Sequence, residues 1–265
     1  MRLLLLLSTL SMPLIACFTQ FGWFGPNSET VSDQYPTLLV AAGYAFAIWA
    51  VIFTLDLGFS IWQALRRRPM LPSHKELRLV TMIGFALTTS WMVVFSAQYF
   101  WLALLIIWGA LGCLLYTCVL MARAEDPSGH LWLGLLPLGL HAGWLSLAAF
   151  LNTAQVLVAY KLLPTSDMLP WSLLLWAVAA VLLFGVNALM RGHPAYGLAA
   201  LWGLIGVFVE QSQSRLYGAN ISASVALILA ALLLAQTGYL LWRAHQLAER
   251  NLRAGHGTRL SADFH

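Results

Sequence analysis

The chain has 265 residues, of which 60% are hydrophobic and 9% are charged, and its mean hydropathy is +0.78. An average soluble domain carries about 25% charged residues, so this composition excludes a soluble globular enzyme, a disordered chain and a secreted disulfide scaffold. The formal net charge is +4, but the basic segment 66–78 contains no aromatic residue, and we therefore predict no nucleic-acid partner.

The apolar segments are long and continuous, which predicts an all-α, polytopic membrane helix bundle embedded in a lipid bilayer. A helix needs about 20 residues to cross the hydrocarbon layer. We predict about eight transmembrane helices on this basis. Their predicted bounds are 3–21, 37–64, 78–97, 100–121, 131–158, 170–190, 195–211 and 219–242.

Two interpretations of the first segment are open. Arg2 followed by Leu3–Leu7 resembles the start of a signal peptide, and Leu14–Cys17 fits a loose lipoprotein-type cleavage pattern at Cys17. The alternative is an uncleaved first helix, because a multi-span protein rarely needs a removable signal. All three cysteines lie inside apolar segments without metal-ligand spacing, so we interpret them as small hydrophobic residues and predict no metal site.

Lysine and arginine residues predict the orientation. With eight helices, one side of the membrane collects twelve of the fourteen basic residues, and the other collects only Lys161 and Arg215. Positively charged loops stay in the cytoplasm. We therefore predict a protein of the cell (inner) membrane with both termini cytoplasmic. The charged tail, 243–265, is expected to be partly helical and then disordered.

Twelve tryptophans are many for this length. Six lie near predicted helix ends, where indole rings commonly sit at the headgroup level. The other six occupy the second to seventh predicted helices, one in each. These interior residues are Trp49, Trp91, Trp108, Trp144, Trp176 and Trp202. They are either ordinary packing residues or an aromatic cage that stacks on a flat ligand.

Three helices carry recognisable aromatic and polar patterns. The second contains Tyr44, Phe46 and Trp49, and the third contains Thr88, Trp91 and Phe95. In the fifth, spacings of four, seven and eight residues place one set on a single helical face. That set is Trp144, Ala148, Leu151 and Asn152.

In these patterns the sequence resembles the tryptophan-rich sensory protein family (TspO/MBR), whose animal members are the translocator proteins. Phe53 stands where the family usually has tyrosine, Ala41 and Ala42 where prolines are common, and Thr88 where it has asparagine. The resemblance implies a five-helix core over 1–160, an additional three-helix segment over 161–242 and the tail 243–265. It also implies binding of porphyrins and of hydrophobic small molecules such as sterols, with no required cofactor.

Polar residues inside the spans are expected to face the bundle interior. Asp56, in the cytoplasmic half of the second helix, is either a structural residue near a basic loop residue or an ion or proton site. His141 is either a satisfied core residue, an axial ligand to a haem-type metal or a hydrogen-bond partner for a carboxylate. Asn152 and Gln155 either join neighbouring helices or orient a ligand.

Gly139 and Gly143 have the small-xxx-small spacing that lets two helices approach closely, within one chain or between two chains. A homodimer is therefore one of the two arrangements that the sequence allows.

We predict a membrane binding or sensor protein for a planar hydrophobic ligand, most simply a porphyrin or related tetrapyrrole. The expected walls of the site are Tyr44, Phe46, Trp49, Trp91 and Trp144, and the expected polar anchors are His141 and Asn152. A transporter of small amphipathic molecules, with Asp56 as its ion-coupling group, is the alternative. A membrane enzyme that acts on a bound pigment or lipid through His141 and Asp56 is a third. Because no catalytic motif is present, we predict no enzymatic activity.

Overall fold

A computed structural model describes residues 2–65, 75–124 and 130–262 of the chain. Arg66, Arg67 and Arg68, which contribute to the predicted orientation, lie outside the described residues. The described residues form α-helices and one 3-10 turn and contain no strand, which confirms the predicted all-α bundle. The helices are α1 (Arg2–Gln20), α2 (Ser28–Gln34), α3 (Ile48–Leu65), α4 (Lys75–Ser96), α5 (Phe100–Arg123), α6 (His130–Ala159), α7 (Leu169–Leu189), α8 (Pro194–Gln213) and α9 (Ala219–Ala262).

Seven of the described helices are long and apolar enough to cross a membrane. The predicted seventh span corresponds to α8, which is not among these seven because it is less apolar. Nevertheless, α8 packs extensively against α6 and α9, and ten of its residues are buried. The protein is thus a multi-pass membrane protein in which α8 is enclosed mainly by other helices.

Five helices form a ring in the order α1, α3, α6, α5 and α4, with α4 returning to α1. Outside this ring α8 packs on α6, α9 packs on α8, and α7 contacts α6 and α9. Hydroxyl groups join neighbouring helices, as in the 2.6 Å contact between Thr9 on α1 and Ser60 on α3. Residues 141–152 of α6 are all buried, so the centre of the molecule lies along this helix.

The entry to α3 differs from the predicted continuous helix over 37–64. Residues 37–42 are buried but form no α-helix, and a 3-10 turn, Gly43–Ala47, precedes α3. Side chains of α8 and α9 replace the missing helical hydrogen bonds: Gln211 Nε2 donates to the carbonyls of Thr37 (3.0 Å) and Val40 (3.2 Å), and Ser222 Oγ donates to that of Leu38. A buried non-helical segment persists because its polar groups are satisfied within the protein.

Two further elements differ from expectation. The short helix α2 forms inside the predicted first loop, where Asn27 Oδ1 caps it by accepting from the Thr30 amide at 2.9 Å. At the other end of the chain, α9 continues without a break beyond the predicted boundary at 242 to Ala262. The helical part of the tail, expected without a fixed end, thus reaches 262, and the disorder expected after it stays a prediction.

The two glycines with small-xxx-small spacing face α8 of the same chain. A Cβ atom on Gly143 would lie 2.4 Å from the Tyr196 carbonyl oxygen, whereas one on Gly139 would meet no atom closer than 3.5 Å. Gly143 therefore permits the close approach of α6 and α8. Because this glycine surface is occupied within the chain, it gives no support to the homodimer, which remains a prediction.

Candidate functional site

Three of the six interior tryptophans converge inside the ring of five helices. The ring centroid of Trp49, near the start of α3, lies 6.0 Å from that of Trp91 on α4 and 6.0 Å from that of Trp144 on α6. Phe46 meets Trp144 edge-on at 6.0 Å, and Phe95 stacks on Trp91 at 4.9 Å. Such edge-on and stacked contacts are the favoured geometries of aromatic pairs.

These rings surround a cavity at the end of the bundle that carries α2, which we call the aromatic cavity. About 300 Å³ of unfilled space is spread among the rings, leaving room for about one water molecule at its centre. The helix α2 covers it through Ser32. The lining residues are Ser32, Phe46, Trp49, Trp91, Phe95, Trp144, Ala148, Leu151, Asn152 and Gln155.

Hydrogen-bond donors are in excess in the aromatic cavity. Trp91 Nε1 donates to Asn152 Oδ1 at 3.1 Å, and Asn152 Nδ2 donates to Gln155 Oε1 at 3.5 Å. In contrast, Trp144 Nε1 and Gln155 Nε2 are buried and have no hydrogen-bond partner among the described residues. Buried donors of this kind are rare because leaving them unpaired is costly. The arrangement is therefore suited to a ligand that supplies an acceptor.

A buried polar pair lies next to Trp49, away from the cavity lining. His141 Nδ1 on α6 is 2.8 Å from Asp56 Oδ2 on α3, and both side chains are 0% exposed. His141 Nε2 lies 3.3 Å from Thr88 Oγ1. The histidine ring stacks on Phe85 and meets Trp49 edge-on, with centroid distances of 5.8 Å in each case. Asp56 thus contacts His141, whereas the predicted proximity to a basic loop residue involves arginines 66–68, which lie outside the described residues.

The structure brings together five of the seven predicted ligand-binding residues. Phe46, Trp49, Trp91, Trp144 and Asn152 all line the aromatic cavity.

The other two predicted site residues lie elsewhere. Tyr44 is 45% exposed and packs edge-on against Trp202, and His141 lies beside the cavity, outside its lining.

The remaining interior tryptophans serve packing. Trp108 Nε1 donates to Thr153, Trp176 Nε1 to Ser222 and Trp202 Nε1 to the Ala45 carbonyl, so each is satisfied away from the cavity. Composition does not distinguish these three from the converging ones, because all six lie in spans of similar composition, whereas the aromatic and polar patterns single out Trp49, Trp91 and Trp144.

Ser32 is a cavity residue that sequence reasoning missed. The capping signal of Asn27 followed by an acidic first turn at Glu29 could have indicated α2, but not its position over the cavity.

A second, open cavity adjoins the aromatic cavity on the outside of the bundle. It has a volume of about 480 Å³ and runs between α1 and α3, with Cys17 on one side and Leu57 on the other. Phe46 and Trp49 line both cavities. These two side chains therefore form the partition between the enclosed space and the groove.

The residues do not fit haem ligation by His141. An axial ligand needs a free ring nitrogen, and both nitrogens of His141 face protein groups, Asp56 on one side and Thr88 on the other. Within the described residues no group of three histidine, cysteine or acidic residues is placed to hold a metal ion.

Comparison with known proteins agrees with the resemblance drawn from the aromatic patterns. The sequence model of a family described as TSPO-like protein matches residues 2–239. The matched range takes in α1 to α8 and most of the apolar part of α9. No curated protein and no solved structure gives a match. Because the matched residues cover far more than half of the chain, it belongs to the TSPO-like protein family.

Proposed function

We propose that the protein binds a planar, largely apolar ligand that carries a hydrogen-bond acceptor, and that the aromatic cavity is the binding site. The observation that carries this proposal is the pair of unpartnered buried donors, Trp144 Nε1 and Gln155 Nε2, among converging indole rings. Indole faces stack on flat rings, and the two donors would fix the acceptor.

A porphyrin with carboxylate side chains is the ligand class that best combines these properties. Its macrocycle is flat and apolar, and its carboxylates accept strong hydrogen bonds from neutral donors. Since the closed cavity has room for little more than a water molecule, the bound state requires Phe46 and Trp49 to move toward the adjoining groove. The bound ligand would then occupy both spaces.

Titration of the purified protein in nanodiscs with protoporphyrin IX, followed by tryptophan quenching, tests the proposal. Trp144→Phe retains an aromatic ring but removes the donor, and we expect about a tenfold loss of affinity. Trp108→Phe is the matched control, because Trp108 bonds to Thr153 outside the cavity lining. A porphyrin with only alkyl substituents should bind Trp144→Phe and the wild type equally.

The absence of quenching in the wild type would overturn the proposal. An equal loss of affinity in Trp144→Phe and Trp108→Phe would overturn the assignment of the site.

Transport of the same ligand is a second candidate function. It is favoured by the groove between α1 and α3, which offers a route from the lipid to the partition formed by Phe46 and Trp49. Accumulation of porphyrin inside proteoliposomes, lost in Trp49→Ala, would support transport, whereas equilibration without accumulation would support binding alone.

We further propose that the protein does not convert its ligand. The acid–base pair of Asp56 and His141 lies outside the cavity lining, and both nitrogens of His141 are engaged there. General acid–base catalysis requires a group within hydrogen-bond reach of the reacting atoms.

We place the protein in the cell membrane with both termini in the cytoplasm, on the strength of the biased distribution of basic residues. In this orientation the aromatic cavity lies in the outer half of the membrane, beneath α2.

A further inference from the structure

We infer that Asp56 and His141 form a proton-binding site, which alternates between a neutral and a singly negative form. The pair joins α3 to α6 in the middle of the ring of helices, and neither side chain is exposed. Buried ionisable residues in membrane bundles are costly and commonly serve such proton-handling roles.

The hydrogen bonds fix where the protons lie. Thr88 Oγ1 has a single hydrogen, which it donates to the Gly84 carbonyl at 3.0 Å. It can therefore only accept at His141 Nε2, so this nitrogen carries a hydrogen. The 2.8 Å contact between Nδ1 and Asp56 Oδ2 needs a second proton between the two atoms. The arrangement thus holds two protons, and the pair is neutral overall.

A second arrangement is reached by rotation of one hydroxyl group. If the Thr88 hydroxyl turns from Gly84 to His141 Nε2, that nitrogen becomes an acceptor and loses its hydrogen. Nδ1 then carries the remaining proton and donates it to a charged Asp56 carboxylate, which leaves the pair singly negative. Each form satisfies both ring nitrogens, so the site can hold or release one proton without a change in the helix packing.

The other contacts of the pair differ between its carboxylate and its imidazole. Asp56 Oδ1 has no hydrogen-bond partner among the described residues, so a charged carboxylate lacks a compensating donor there. The imidazole ring contacts the Phe85 and Trp49 rings at distances suited to a cation near an aromatic ring.

Other titratable groups lie nearby on the packed helices. From α5, Cys118 is buried and close enough to Asp56 to interact electrostatically. From α8, Tyr196 interacts with Cys118 and donates to Ser146 at 3.1 Å. Neither makes a described hydrogen bond to the pair, whereas α4 contributes the hydroxyl of Thr88 and the ring of Phe85.

Polar side chains lead from the pair toward the end of the bundle that carries the N-terminus. Ser60 and Gln63 follow Asp56 on α3 at spacings of four and seven, so all three share one helical face, and all are buried. Thr9 on α1 joins this row through its contact with Ser60. The row supplies hydroxyl and amide groups along which a proton, with intervening water, can reach Asp56.

The coupling of this site to ligand binding rests on the proposed function. Trp49 lines the aromatic cavity and also touches the His141 ring, so a ligand that moves Trp49 changes the surroundings of the imidazole. A ligand carboxylate would bind less well above a negative pair than above a neutral one. We therefore expect affinity for a carboxylated porphyrin to fall as the pair loses its proton, by up to about tenfold per pH unit for one linked proton.

Nitrogen NMR of histidine-labelled protein in nanodiscs, without any ligand, tests the proton site itself. We expect the His141 signals to change from the form with a hydrogen on Nε2 to the form with a hydrogen on Nδ1 as the pair releases its proton. His141→Gln assigns these signals. The exposed His245, on α9, lies far from the pair in sequence and provides a reference histidine in the same spectrum.

Two variants test the roles of the partners. Asp56→Asn cannot take up the proton, so His141 should remain neutral and the transition should vanish. Thr88→Val should abolish the change of tautomer, and Thr88→Ser, which keeps the hydroxyl, should restore it. A single His141 form over the whole pH range, or a transition that survives in Asp56→Asn, overturns the inference.

The pH dependence of porphyrin binding tests the coupling separately. The fall in affinity that comes from the pair should be present in the wild type and absent in Asp56→Asn. The ligand's own carboxylates titrate alike with both proteins, so their contribution to the pH dependence is the same in each. An identical pH dependence in both proteins overturns the coupling, whereas the ligand-free NMR result decides the proton site. Failure of porphyrin to bind at all overturns the proposed function alone.

Discussion

The side-chain amide of Gln211 donates hydrogen bonds to two buried backbone carbonyls, those of Thr37 and Val40. It is itself fully buried, on the face of α8 that meets the non-helical segment before α3. A single amide group therefore compensates for hydrogen bonds that a regular helix would have made within its own backbone.

Replacing this amide should be costly. Gln211→Leu preserves bulk but leaves both carbonyls without a donor, and we expect a loss of about 2–4 kcal/mol in the free energy of unfolding. Unfolding by SDS in mixed micelles measures this value. Gln213→Leu, at an exposed position on the same helix, should change it by less than about 0.5 kcal/mol. Equal effects of the two substitutions would contradict the role assigned to Gln211.

The candidate site shows what residue patterns can and cannot predict. Spacing alone places Trp144 and Asn152 on one face of α6, because helical periodicity is regular. The contact of Asp56 with His141 spans 85 residues of sequence and depends on which helices become neighbours. Tyr44 was expected in the cavity wall, but the 3-10 turn before α3 directs it toward Trp202. Periodicity carries no information about such a local change of helix type.

Among the helices, α6 and α8 make one of the closest contacts. The approach depends on Gly143, where any side-chain carbon would overlap the Tyr196 carbonyl oxygen. Backbone atoms cannot move aside as a flexible side chain can, so this contact is rigid.

Gly143→Ala should therefore separate the two helices. We expect a loss of about 1–3 kcal/mol in the free energy of unfolding from overpacking, measured as above. Gly139→Ala, one turn earlier on the same face, is the matched control, because its added carbon meets only ordinary contacts. It should be nearly neutral, and a Gly143→Ala protein as stable as the Gly139→Ala protein would argue against the close contact.

The structure of the second predicted span could be anticipated only in part. Its apolar composition predicts a membrane helix, and α3 forms from Ile48 onward. The non-helical entry over 37–42 is a tertiary effect, since its hydrogen-bond donors, Gln211 and Ser222, come from the end of α8 and from α9. Pro36 gives no local signal for it, because a proline disfavours helical backbone only in the residue before it and is common in the first turn of a helix.

At the scale of the whole molecule, the predicted topology of eight spans, which counts α8 together with the seven apolar helices, would place both termini on one side of the membrane. The basic residues predict that this is the cytoplasmic side. This orientation determines whether the aromatic cavity faces the outer or the inner side of the membrane.

Labelling of single introduced cysteines can measure the orientation. In a background with the three native cysteines replaced by alanine, Ser166→Cys lies in the exposed loop between α6 and α7, and Gln246→Cys lies on the polar part of α9. A membrane-impermeant maleimide added to intact cells should label Ser166→Cys, and should label Gln246→Cys only after permeabilisation. The reverse pattern would invert the proposed topology.

The dependence of the α3 entry on α8 and α9 also bears on biosynthesis. Gln211 and Ser222 follow the carbonyls they satisfy by 171 to 184 residues, so a ribosome delivers them long after the second span has entered the translocon. Until then, the peptide groups of that stretch need other partners, either water or the hydrogen bonds of a continuous helix. A product truncated after α6 would therefore contain the complete ring but lack every side-chain donor that satisfies the carbonyls of Thr37, Leu38 and Val40.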